Sequence, residues 1–114
     1  MNNNVLKSNF KEWVETVSGK PFPTDAFLST CLNEAVNSVL HSKYNGRPFI
    51  EHYPPVELFR ELFREWKSTA LLFVKQPVYP GVNLCFGKTP VSNDPDHRKE
   101  LCELLDQLSS VCLA

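Results

Sequence analysis

The chain has 114 residues, 42% of them hydrophobic and 22% charged, with a formal net charge of −1. Those are globular proportions for one domain, residues 1–114, and they exclude disorder along the whole chain. A pI near 6.3 carries no electrostatic footprint for nucleic acid or an anionic membrane, and no apolar run approaches the roughly 20 residues that cross a bilayer.

The first helix is expected from about Val5 or Ser8 to Ser18. Leu6, Phe10, Trp13, Val14 and Val17 recur at three- and four-residue steps, which puts them on one face. Gly19 supplies a stop, and Pro21 and Pro23 prevent continuation. Thr24-Asp25 then offers an N-cap for a second helix running from about Asp25 to Lys43 or Tyr44. Its apolar stripe is broad: Phe27, Leu28, Cys31, Leu32, Ala35, Val36, Val39 and Leu40. A stripe that wide predicts the central helix. The opposite face carries Thr30, Asn33, Asn37, Ser38 and His41, polar residues with little charge, where a free surface usually holds more Lys and Glu.

Asn45-Gly46 ends that helix, because both residues tolerate a left-handed backbone. The connector that follows, 44–55, combines Arg47, Phe49, Ile50, His52 and Tyr53 with a double proline. Pro55 suits a first helical position, so the third helix is expected to begin there. Val56, Phe59, Leu62, Phe63, Trp66 and Ala70 form its inward stripe. Glu57 with Arg60, and Glu61 with Arg64, are spaced to pair on the wet face, each pair contributing only about 0.2–0.5 kcal/mol.

Two readings stay open for Thr69 to Val74. The segment either extends the third helix, leaving an irregular loop after it, or pairs as a strand at about 70–75 with 82–86. Pro77 and Pro80-Gly81 break the chain between the two. Thr89 to Asn93 reads as a linker. Asp94-Pro95 is a strong helix start, and Leu101, Leu104, Leu105, Leu108, Val111 and Cys112 make the fourth stripe. The resulting fold class is mainly α: a compact bundle of about four helices with a short hairpin or irregular segment between the third and fourth.

The N-terminus lacks the charged start and apolar centre of a secretory signal, so a soluble cytoplasmic protein is expected. Cys31, Cys85, Cys102 and Cys112 form no C-x-x-C pair. Free, buried thiols are expected, rather than disulfides, a metal site or any other cofactor site. His41, His52 and His97 are scattered, with no two at helical ligand spacing.

Three functions are compatible with these residues. The leading one is a protein-interaction or regulatory protein: an inhibitor, an immunity-type protein or an accessory subunit acting through a preformed surface. The residues expected to carry it are Asn33, Asn37 and His41 on the second helix, Arg47, His52 and Tyr53 in the first loop, and Tyr79 in the second. A weakly charged face is easier to desolvate than a lysine-rich one, and rigid aromatic loops are enriched in interface cores. The partner is another protein or a second copy of the chain, with no membrane. The second function is a small thiol enzyme using Cys85 as nucleophile and His52, or else His41, as base. The third, disfavoured by the acidic fourth helix, is a single-stranded nucleic-acid binder using Lys43, Arg47, Lys75 and Lys88 beside Tyr44, Tyr53 and Tyr79.

Overall fold

The computed structural model describes residues 4–43, 54–77, 81 and 84–114. Among them, α1 spans Asn4–Ser18, α2 Ala26–Lys43, α3 Val56–Val74 and α4 Pro95–Cys112, with two short strands, β1 (Cys85–Phe86) and β2 (Thr89–Pro90), between α3 and α4. The helices close into a ring: α2 lies against α3, α3 against α4, α4 against α1, and α1 against α2.

Side chains cap the starts of α2 and α4, and backbone bonds close the ends of α1, α3 and α4. Asp25 caps α2, its Oδ1 accepting from the Leu28 amide at 3.1 Å. Asp94 caps α4 by accepting from the Asp96 amide at 3.0 Å, with proline in the first turn. Gly19 takes φ +70° after α1 and donates to the Glu15 carbonyl at 2.9 Å. Pro55 is the N-cap of α3 rather than its first helical residue.

The core is the inside of this ring. All eight expected positions of α2 are buried, from Phe27 to Leu40. Phe10 of α1 reaches across to Phe59, Phe63 and Trp66 of α3, with ring centroids 6.3, 6.3 and 6.0 Å away. Phe22, between Pro21 and Pro23, stacks on Trp66 at 5.1 Å. The Trp66 indole is fully buried, and its Nε1–H donates to the Leu28 carbonyl of α2 at 2.9 Å. Burying a large apolar side chain stabilises the fold by about 1.5–3 kcal/mol. The surface pair Glu57–Arg60, at 4.0 Å, is worth a few tenths at most.

The structure corrects several expectations. Val17, Val56 and Val111 belong to the apolar stripes by spacing, yet they are 39%, 54% and 46% exposed. All three sit within two residues of a helix end, where there is little partner surface to cover them. Leu58, absent from the expected stripe, is buried. The strand at 70–75 does not form. Helical periodicity buries Trp66, Ala70 and Val74 together, whereas alternation would turn Leu72 inward, and Leu72 is 65% exposed.

The hairpin lies later in the chain. Cys85 pairs with Pro90 and Phe86 with Thr89, so β1 is the end of the strand expected at 82–86 and its partner β2 lies in the expected linker. Gly87 at φ +61° supplies the first central residue of the tight turn. Phe86 then seats the hairpin on Phe73 and Phe27, at 4.7 and 6.4 Å.

Arg98 is the other departure. Its charge would place it on the solvent side of α4, but its spacing continues the Leu101, Leu105, Leu108 and Cys112 stripe, and it is only 5% exposed. Its Nε donates to the Ser92 carbonyl at 2.5 Å and its Nη1 to the Gln76 carbonyl at 2.6 Å. The guanidinium thus ties the end of α3 and the entry loop to α4.

Trp66→Phe keeps most of the ring packing but removes the buried donor. A loss of about 1–3 kcal/mol is expected in urea denaturation, against about 3–5 kcal/mol for Trp66→Ala. Val56→Ala, at an exposed helix end, is expected to stay within about 0.5 kcal/mol of the parent.

Candidate functional site

The flank of α2 that the sequence singled out does face outward. Asn33, Asn37, Ser38 and His41 are exposed. They recur at three- and four-residue steps opposite the buried stripe, as a helix with one broad apolar face requires. Over residues 26–42 the one exposed full charge belongs to Glu34, which lies on the same flank and was left out of the expected polar face. The edge toward α1 is not idle: Lys7 Nζ donates to Asn33 Oδ1 at 2.5 Å. Arg47, His52, Tyr53 and Tyr79, together with Tyr44, lie outside the described residues.

At its N-terminal end the flank runs into a cleft. Thr30 is half-buried and shares a hydrogen bond with the Thr89 hydroxyl of β2 at 2.8 Å. Below it, Asp25, Phe27, Thr89, Ser92 and His97 line a cavity of about 200 Å³. Asp25 serves two elements there. Its Oδ1 caps α2, and its Oδ2 meets His97 Nε2 of α4 at 3.1 Å. His97 Nδ1 stands 4.0 Å from Glu100.

An aspartate holding one imidazole nitrogen is the orienting half of an acid–base relay. The other half requires a hydroxyl or thiol on the second nitrogen. Among the described residues none hydrogen-bonds to the His97 ring. The pair therefore acts as a tie between α2 and α4. Sequence reasoning used Asp25 only as a cap and left His97 among scattered histidines. The two are 72 residues apart, and no local pattern joins them.

The thiol reading gains no geometry. All four cysteines are free; Cys31 and Cys112 are buried, Cys102 is half-buried, and Cys85 is exposed in the hairpin. Cys85 thus departs from the expected burial. A two-residue strand on the outside of the bundle covers only one of its faces, and Phe86 takes the inward position. Its proposed base, His52, falls outside the described residues. The hairpin touches α2 at Phe27 and Thr30. His41 lies eleven residues further along that helix, about 16 Å along its axis. Among the described residues no group of three or more His, Cys, Asp or Glu side chains gathers to hold a metal ion, and no described helix is long and apolar enough to cross a membrane. Of the cations considered for nucleic acid, Lys75 and Lys88 are exposed.

Against family models, curated proteins and solved structures, the chain matches none.

Two thiol predictions follow from these environments. Burial, with Asp25 nearby adding to it, pushes the Cys31 thiol from 9.0 up to about 12, and burial also raises Cys112. Alkylation of the native protein at neutral pH should modify Cys85 first and Cys102 more slowly, leaving Cys31 and Cys112 untouched until unfolding; peptide mass spectrometry reads each site. Above about pH 9 the unfolded chain releases protons that folded Cys31 retains, so stability falls as pH rises. The Cys31 contribution is at most about 1.4 kcal/mol per pH unit. Denaturation curves between pH 8 and pH 11, buffers chosen about one unit apart, should show a shallower decline for Cys31→Ala than for the parent.

Proposed function

We propose that this is a binding protein without chemistry of its own, which masks or scaffolds another protein through the outer flank of α2. Regulation of that partner, as an inhibitor or accessory subunit, is the role such a surface fits. A second copy of the chain is the simplest partner. The proposed setting is the cytoplasm, where four free thiols stay reduced.

One contrast carries this reading. The exposed flank of α2 holds a single full charge over residues 26–42, while the exposed sides of α3 and α4 carry Glu57, Arg64 and Glu65, and Asp96, Lys99, Glu100, Glu103 and Asp106. Interface cores are depleted in charge, and amides such as Asn33 and Asn37 can exchange hydrogen bonds with a partner after little desolvation. The flank is also preformed. Its backbone is an 18-residue helix whose other side is locked into the core, so little ordering opposes binding. The acidic exposed side of α4 complements a basic rim on a partner and speeds encounter without being the contact itself.

Sedimentation of the pure protein over a wide concentration range tests the self-association version. Asn37→Arg places a charge at the centre of the flank without touching the core, and should weaken a dimer by at least about tenfold. A parent protein that stays monomeric at high concentration removes the second copy as partner. If partner proteins retained from cell extract bind Asn37→Arg as tightly as the parent, the α2 flank is not the contact.

A further inference from the structure

Arg98 raises a question that its structural role does not answer. A guanidinium that is 5% exposed normally has a carboxylate beside it, because a buried charge without a counter-charge is costly. Here the two acceptors are neutral main-chain carbonyls, those of Ser92 and Gln76. Among the described residues no ion pair joins a carboxylate to Arg98, and the two carbonyls engage its Nε and Nη1.

Arg98 also lines a cavity of about 300 Å³ between the end of α3 and the first turns of α4. Val74 and Gln76 form one wall; Pro95, Arg98, Lys99 and Cys102 form the other. The last four follow helical steps of three, four and seven residues, so they share one face of α4. Both charged side chains in this lining are cations. Lys99 is 4.0 Å from Glu103 in an exposed pair, an attraction weak enough to release the ammonium to a better ligand. Asp94 caps the helix through the Asp96 amide; it and the exposed Asp96, Glu100 and Glu103 oppose an anion, so binding rests on the two cations of the lining, aided by the positive end of the α4 dipole.

We propose that this cavity binds the phosphate group of a small molecule. Phosphoryl oxygens accept from Arg98 Nη2 and Lys99 Nζ, and the phosphate supplies the counter-charge that Arg98 lacks. Two adjacent cations match a dianion better than a carboxylate, which would neutralise one of them. Arg98 is preorganised for the task, since its other two nitrogens are pinned by carbonyls and its rotamer freedom is already lost. The volume is at the small end of ligand pockets, enough for a phosphate with a short carbon skeleton. This site stands apart from the α2 flank and does not depend on it.

The test uses the full chain at constant ionic strength, titrated with inorganic phosphate, glycerol 3-phosphate or acetate. Two readouts are taken: the thermal midpoint, and the alkylation rate of Cys102, read by mass spectrometry apart from the exposed Cys85. Both phosphates are expected to raise the midpoint with saturation and to slow Cys102 labelling, while acetate does neither. Tighter binding of glycerol 3-phosphate identifies an organic phosphate as the ligand, and equal binding identifies phosphate itself. Lys99→Gln, an exposed change that leaves the ligand-free midpoint in place, should weaken both responses by about tenfold. The proposal is overturned if phosphate leaves Cys102 labelling unchanged in the parent, or if Lys99→Gln responds as the parent does.

Discussion

The structure depends on how one indole is satisfied. Trp66 is the largest fully buried side chain, and its N–H cannot be left without an acceptor in an apolar interior. The Leu28 carbonyl of α2 provides that acceptor at 2.9 Å. That single bond fixes the height of α3 against α2, because the donor sits mid-helix on one and the acceptor in the first turns of the other. Around the ring, Phe10 and Phe63 present their edges and Phe22 its face, at 6.0, 5.4 and 5.1 Å. Helix α1 and the α1–α2 connector are thereby brought to the same point. Remove the indole and four pieces of chain lose their common reference.

The ends of the bundle are held by polar ties rather than by burial. Asp25 caps α2 and holds His97 of α4, so a local capping residue becomes a link between helices distant in sequence. Arg98 does the same at the other side of the α4 entry, gathering two carbonyls from the chain that leads out of α3. Between them the hairpin is pinned by Phe86 against Phe27 and Phe73, and by the Thr30–Thr89 bond. With α2 clamped by its apolar side and its cap, its outer flank has one fixed presentation. That rigidity is what the proposed recognition role draws on, and it arises from residues that are not on the flank.

Much of this was readable in order along the chain. The buried stripe of α2 follows from spacing alone, as do its cap at Asp25, the stop at Gly19, and the start of α4 at Asp94-Pro95. These are one-dimensional signals: a period of 3.6, a carboxylate one residue before a helix, a glycine after it. The same period misled at the ends. Val17, Val56 and Val111 have the right phase, but phase says nothing about whether another element extends far enough to cover them. The segment 70–74 was undecided because a short apolar run fits both periods. Packing of Ala70 and Val74 into the ring, together with Phe73 against Phe86, settled it in favour of helix.

The candidate sites divide in the same way. The amide-rich flank of α2 was visible, since its composition is a property of one helix. The Asp25–His97 tie and the carbonyl partners of Arg98 were not, because each joins residues from different elements. The sequence by itself determined which residues form helices outside 70–74, which face of each turns inward, and that α2 has a weakly charged outer side. These are consequences of local stereochemistry and of how apolar residues recur. Only the tertiary structure decided that Phe22 packs against the core, that the Arg98 guanidinium finds two carbonyls while Val56 stays exposed, and where two cations meet a cavity. Those outcomes depend on distances between segments far apart in the chain, and no local periodicity encodes them.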